Sequence, residues 1–327
     1  MMKKRWVTIV LVALITGLGF TSYSQANNYP TKPIEIVVPY TAGSSMDVMA
    51  RVIADEATKY LGQPMFVTNK AGASGIIAGA DIINSKADGY KTVVLTNAFF
   101  GTTVKTQKMP YDPGDIVPIG NCMQYKMGLF VRSDSPYKTL NDLLEYGKKN
   151  PGKLAWGHHG RGISPTMTAM LIFKKAGVQT VEIPHKGSAE SVASLLGGQV
   201  VASTSNYGPF KPHVESGKLR ILVVYSDQRF SDLPDVPTGP ELGFPDVGKM
   251  SVLIGLYAHK NTPKDAIKVL QDVLKKVCES EEYKKAIKKL GEEPRYGSAD
   301  LIKKAILDSE EVGVPLLKEI GLYVPQK

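Results

Sequence analysis

Cysteine is scarce: Cys122 and Cys278 are the only two in 327 residues. They form neither a Cys-x-x-Cys pair nor a zinc-type spacing, which excludes a dithiol redox motif and a cysteine-built metal centre. A disulfide between them and two buried thiols both fit the sequence. No GxxxxGK[ST] loop occurs, so P-loop nucleotide chemistry is excluded. Nor does a GxSxG elbow supply the nucleophile of an α/β-hydrolase. Long linkers, low-complexity tracts and fixed-period repeats are missing too. One long apolar run exists, Trp6–Phe20, and it is short for a membrane span of about 20 residues.

That run follows Lys3, Lys4 and Arg5, and Ser24 and Ala26 behind it satisfy the small-residue rule for cleavage. Residues 1–26 are therefore expected to be a secretory signal peptide and the mature chain to be exported and soluble. No Cys follows the run to carry a lipid anchor. Losing those three cations lowers the formal charge from +9 to +6. The remaining excess lies along Lys-rich helical stretches such as "KDAIKVLQDVLKKVCESEEYKKAIKKLG", where Asp and Glu are interleaved. Such a pattern belongs to solvated helix faces, and no nucleic-acid partner is expected. Anionic ligands are mildly favoured by the overall field.

What remains has ordinary globular composition, 43% hydrophobic and 22% charged, and length enough for two domains. Strand-like runs at 34–38, 65–68, 92–96, 154–157, 180–183, 200–204 and 219–225 alternate with helical patterns at 46–61, 75–85, 140–149, 165–176 and 189–196. The alternation predicts α/β domains on largely parallel sheets. In the first helix Val48, Met49, Val52, Ile53, Ala57 and Tyr60 mark the core-facing stripe, and Gly62 ends it. Two long apolar stretches, "IVPIGNCMQYKMGLFVRSDS" and "KMSVLIGLYAHKNTP", read as strands crossing between domains. They predict a discontinuous first domain, 27–124 plus 252–327, with 125–251 inserted. Thr262-Pro263 reads as N-cap and first helical residue.

Three Gly/Ser-rich turns join a strand to a helix. "PYTAGSSMD" offers Gly43, Ser44 and Ser45, with Asp47 in the first helical turn. "NKAGASG" offers Gly72, Ala73, Ser74 and Gly75, and "WGHHGRGISP" ends on Ser164-Pro165. Unpaired N–H groups at such helix starts favour an anion without any Lys or Arg in the first turn. Split between two domains, the turns are expected to meet in the intervening cleft. Each taken alone is as readily a packing turn as a ligand seat.

The stretches "YPTKPIEIVVPYTAGSSMDVMARVIADEATKYLGQPMFVTNKAGASG", "ADGYKTVVLTNA", "MPYDPGDIVPIG", "IPHKGSAESVASLLGGQV" and "GKLRILVVYSDQRFSDLPDVPTGPELGFP" resemble, in order, the Bug family. These are periplasmic substrate-binding proteins of tripartite tricarboxylate transporters. The resemblance implies a two-domain, flytrap-like periplasmic-binding-protein fold of type II with two hinge crossings, closing on a small carboxylate. Carried over by position, Tyr40, Ala42, Gly43, Ser44, Ser45 and Asp47 match the first loop, and Gly72 to Gly75 the second. Thr96 and Asn97 line the same cleft. In the inserted domain Gly157, Gly160 and Gly162 match the glycine pattern, and His185-Lys186-Gly187 stands where Tyr-Lys-Gly is usual. Tyr207, after "STSN", is placed in the cleft by position.

Departures from the pattern are informative. Ala42-Gly43-Ser44-Ser45 replaces the common Pro-Gly-Gly-Ser. His158 stands where Ser is usual, Ile163 takes a second Ser position, Thr166 a His position, and Arg161 lies between the glycines. An arginine grips a carboxylate bidentately, so His158, His159 and Arg161 are expected to read the distal end of the ligand. Arg161 as a solvated loop residue, Lys186 as a brace and Phe99-Phe100 as core residues are the plainer alternatives. Adjacent histidines point apart and no ligand set completes them, so no metal and no cofactor are expected. The expected protein is a monomeric, non-enzymatic periplasmic receptor that passes its acid to membrane permease subunits. A subunit presenting the loaded form to a sensor kinase, and a secreted hydrolase, are the alternatives.

Overall fold

A computed structural model describes residues 29–326, so the expected signal peptide lies outside the described residues. Eleven strands among these residues form two sheets. They are β1 (Ile34–Val38), β2 (Met65–Asn69), β3 (Lys91–Thr96), β4 (Ile116–Gln124), β5 (Met127–Arg132) and β6 (Leu154–His158). Then come β7 (Thr180–Pro184), β8 (Ala202–Asn206), β9 (Leu219–Val224), β10 (Leu253–His259) and β11 (Glu293–Ser298). One sheet has the order β11-β4-β10-β3-β1-β2, the other β7-β6-β8-β5-β9.

Both sheets are mixed, where largely parallel ones were expected. β1 runs parallel to β2 and β3, but β10 is antiparallel to β3 and β4. In the second sheet β6 is parallel to β7 and β8, while β5 is antiparallel to β8 and β9. Every antiparallel pairing includes β4, β5 or β10, the strands at the crossings between the sheets. β4 turns through Tyr125-Lys126 directly into β5, and Val252 leads the returning chain into β10. Tyr125 N–H donates to Val252 C=O at 2.9 Å, so the two crossings lie side by side.

The helix Ser45–Leu61 shows how local sequence sets these parts. Ser44 caps it, accepting from Asp47 N–H, and Gly62 ends it in the left-handed region at φ 64°. Met46, Met49, Ala50, Ile53, Ala54 and Ala57 are buried against β1 and β2. Tyr60, expected in that stripe, is 46% exposed and lies under the Lys276 ammonium. At the later helix Lys264–Glu279 the N-cap is Pro263, not Thr262, and no side chain caps it. Both cysteines are free and buried, which decides for thiols. Burial first, then the neighbouring Cys122, pushes the Cys278 thiol well up.

The final helix, Ala299–Glu319, ties the two halves together. Ile302 is buried with residues of the first sheet, whereas Val312, Leu316 and Leu317 belong to the core of the second. Beyond it the chain returns to the first half, where Val324 N–H donates to Lys105 C=O at 2.7 Å.

At Gly255 on β10 the neighbouring strand approaches so closely that a Cβ would lie 2.5 Å from Gly120 O and 2.6 Å from Ile302 Cδ1. Backbone cannot yield as a side-chain tip does, so Gly255→Ala is expected to cost about 1–3 kcal/mol. A thermal melt checks this; an unchanged midpoint contradicts the packing argument.

Candidate functional site

A cavity of about 590 Å³ is lined by loops from both sheets. From the first sheet come Tyr40 behind β1, Ser74 behind β2, and Thr96 at the end of β3. Thr102, Thr103 and Thr106 follow. The second sheet contributes His159, Ile163, Ser164, Pro165 and Asn206. Tyr125, Met127 and Val252 come from the crossings, and Leu322 from the terminal segment. The cavity thus sits at the carboxyl ends of β1, β3, β6 and β8, where α/β sheets place ligands.

The first loop is organised from within. Asp47 is buried, and its carboxylate accepts from Gly43 N–H at 2.9 Å, Asn69 Nδ2 at 2.8 Å, and Arg51 Nε and Nη2 at 3.1 and 3.0 Å. Burial alone pushes this carboxyl up. The hydrogen bonds from Arg51, Gly43 and Asn69 outweigh it, and the net result lies below the usual carboxylate value. Gly43 makes the turn with φ 84°, a conformation costly for other residues. Of this loop only Tyr40 lines the cavity; Ala42, Gly43, Ser44, Ser45 and Asp47 shape the turn behind it.

The second loop carries four consecutive positive φ angles: Gly72 135°, Ala73 44°, Ser74 52° and Gly75 101°. Two of these residues have side chains, and such conformations cost on the order of 1–3 kcal/mol each. Their effect is to deliver Ser74 to the cavity wall, while Gly72, Ala73 and Gly75 stay behind it. Thr96 caps the short helix Asn97–Gly101, accepting from Phe99 N–H at 2.9 Å, and lines the cavity. Asn97 turns away from the cavity. Its amide donates to Ser251 C=O at 3.0 Å and accepts from Leu253 N–H at 2.8 Å, which fixes β10 beside β3.

On the second sheet the structure separates the expected cluster. His159 lines the cavity, with Nδ1 buried and unpartnered. His158 is buried beneath it; Nδ1 accepts from Gly160 N–H at 3.2 Å, and Nε2 lies 3.3 Å from Glu182 Oε2. Burial pushes both imidazoles below the ordinary histidine value. Arg161 is not brought to the cavity. Its Nε and Nη2 hold the Glu182 carboxylate bidentately, each at 3.0 Å, on the outer rim. His185 packs against Gly157, where a Cβ would lie 2.7 Å from its Cε1, and shares a hydrogen bond with Ser191 Oγ at 3.3 Å. Lys186 donates its N–H to Glu190 at 2.8 Å and acts in the turn. Tyr207 is buried beside Phe130 and Phe210, and burial pushes its phenol up to about 12. Phe99 and Phe100 are packed edge to face within the core.

Several lining residues escaped the sequence reading. Thr102, Thr103 and Thr106 form a hydroxyl cluster just after β3 that could have been noticed as a strand-end polar patch. Leu322 gave no signal, since its placement depends on how the last helix docks. Among the described residues no group of three or more His, Cys, Asp and Glu side chains is placed to hold a metal ion.

Comparison with known proteins connects this architecture to a family. Residues 49–322 match the pattern described as the tripartite tricarboxylate transporter family receptor. The chain belongs to this receptor family. The UPF0065 protein in the gbd 5' region of Cupriavidus necator is 35% identical over 320 residues, covering 97% of each chain. Protein BugT of Bordetella pertussis is 31% identical over 316 residues, covering 95% of this receptor and 96% of BugT. Among solved structures, a TctC solute-binding protein from Polaromonas superposes with TM-score 0.81 at 30% identity, over 89% of this chain and 99% of the other. An R. palustris protein solved with adipate gives 0.72 at 27% identity, over 90% and 98%. The two-domain, two-crossing solute-binding fold expected from the sequence is the receptor's fold.

Proposed function

We propose that the receptor captures a small organic acid in the periplasm, closes over it by bending at the Tyr125-Lys126 and Val252 crossings, and delivers it to the membrane permease subunits of a tripartite transporter. The moving bodies in this reading are 27–124 plus 252–327 and 125–251, with the C-terminal half of the final helix, whose Val312, Leu316 and Leu317 sit in the second core, travelling with the latter. The observation that carries it is the cavity itself, whose wall combines hydroxyls of one sheet with the N-terminus of the helix Ser164–Lys175 from the other. That helix has no side-chain cap at Ile163, so the Ser164 and Thr166 N–H groups remain available to an anion, Pro165 between them having none. Contacts from both walls exist together only when the crossings are bent shut, which is how a ligand stabilises closure. Adipate in the R. palustris relative supports a carboxylate. No helix among the described residues is long and apolar enough to cross a membrane, in keeping with an exported receptor.

A thermal-shift panel of mono-, di- and tricarboxylates and sulfonates tests this. At 100 times the dissociation constant, a bound acid adds about 2.7 kcal/mol to native stability, a shift of several degrees. Mass spectrometry of ligand released by denaturation should return it unaltered. A flat panel contradicts the carboxylate assignment, and a transformed ligand contradicts the receptor mechanism.

A further inference from the structure

A second set of contacts joins the two halves on the far side of the crossings from the cavity. Arg295 on β11 holds the Asp227 carboxylate bidentately, through Nη1 at 2.7 Å and Nη2 at 2.9 Å. The same Nη1 donates to Gln124 Oε1 at 2.7 Å, and the Gln124 amide donates in turn to Ser226 Oγ at 2.9 Å. Beside them the Lys126 ammonium, fully buried within the crossing, pairs with Glu293 of β11 at 3.3 Å and with Asp232 at 2.5 Å. Gln124, Glu293 and Arg295 lie on strands of the first sheet, whereas Ser226, Asp227 and Asp232 follow β9 of the second. The network therefore spans the two halves.

Strand order decides where this network acts. In the first sheet β4 and β10 stand between β11 and the cavity strands β3 and β1; in the second, β5 stands between β9 and the cavity strands β8 and β6. Cavity and network lie on opposite sides of the crossing strands. A rotation about the crossings that brings the ends of β3 and β8 together draws β11 away from the segment behind β9. A bidentate arginine–carboxylate pair depends on its fork geometry, and a buried ammonium deprived of a carboxylate is costly. We propose that the Arg295–Asp227 and Lys126–Glu293 pairs hold the receptor open, so that affinity is set in part by side chains that never touch the ligand. This rests on the reading that the receptor closes by bending at the crossings, and adds to it what opposes closure. The rarer the closed form, the weaker the observed binding. Cutting the network should lower the melting temperature and tighten binding together. A purely structural network would lower the melting temperature alone.

Spin labels at Ala42→Cys and Ala189→Cys, exposed behind β1 and β7, report the width of the cavity mouth with no ligand present, and the native cysteines are buried. Adding Asp227→Ala to this labelled parent is expected to enlarge its short-distance population about threefold, the size suited to a half-exposed ion pair. Glu293→Gln keeps the side-chain shape, leaves Asp232 to Lys126, and should act in the same direction. Calorimetry with adipate, the acid in the R. palustris relative, should show binding about threefold tighter in Asp227→Ala and about tenfold tighter in the double variant. Ligand-free distances that match the parent in both variants overturn the proposal. So does a lowered melting temperature with adipate affinity unchanged or weakened. Adipate that fails to bind the parent contradicts that acid as ligand, and the ligand-free distances still decide the role of the network. Adipate that binds without shortening the parent's distances contradicts closure and removes both readings together.

Discussion

Asp47→Ala is expected to lower stability by about 2–3 kcal/mol and to weaken ligand binding more than tenfold. The buried carboxylate collects four hydrogen bonds from Gly43, Asn69 and Arg51, and its loss removes all four at once, at the cost typical of bonds to charged groups, while the exposed partners turn to water. Affinity suffers as well, because the turn that presents Tyr40 loses its internal anchor. The pH dependence has a definite sign. A folded carboxyl held below its ordinary value of 3.8 contributes stability that is fully present above that value. It is lost as pH falls through the lowered folded value, so the variant should lose part of the acid-limb dependence seen in the native chain. Melting curves from pH 2.5 to 7 with matched titrations check both effects. A variant that melts and binds like the native chain would show that the loop is held by something else.

Glu292 should act in the opposite direction. It is 3% exposed and accepts from Lys126 N–H at 3.0 Å, at the crossing between the sheets. Lys126 is itself fully buried, pairing with Asp232 at 2.5 Å and Glu293 at 3.3 Å. Tyr125 lies close enough to Glu292 for the two to influence each other. Burial, only partly offset by the Lys126 N–H and charge, pushes the Glu292 carboxyl up to about 8. Since the folded state then holds a proton that the unfolded chain releases near 4.5, stability falls as pH rises between these values. The full decline is on the order of 5 kcal/mol. Glu292→Gln keeps an acceptor for Lys126 N–H and removes this titration, so the melting temperature of the native chain should fall progressively relative to that of the variant from pH 5 to 8.5. Parallel curves for the two proteins would mean that Glu292 is ionised in the fold.

The contrast between these two carboxyls shows where sequence reasoning reaches its limit. Asp47 was legible as a residue of the first helical turn, because its partners Gly43 and Arg51 lie within four positions. Glu292 was not, because burial comes from a crossing strand 166 residues away in sequence. The same division runs through the fold. β1, β3 and β6 were readable from β-branched and apolar runs, but β11 was missed, since "EPRYGS" contains Pro and Gly and few strand-forming residues. Strand direction was not readable either. The apolar stretch that became β10 read as a crossing strand without revealing that it runs antiparallel to its neighbours.

In the site, the turns themselves were visible from their small residues. Which member of each turn faces inward was not, because that depends on φ values such as those at 72–75 and on tertiary partners. Arg161 illustrates this: it lies between glycines as a ligand-gripping arginine would, yet Glu182 on the adjacent strand claims both of its fork nitrogens. Asn97 is a second case, drawn into fastening β10 rather than into the cavity.

A crystal structure of the mature chain with its tightest-binding acid would test the account most directly. The account predicts the carboxylate between the Ser74–Thr96 wall and the helix start at Ser164, with contacts from both sheets and the crossings bent shut. Density for the acid against one sheet alone, or outside this cavity, would contradict it.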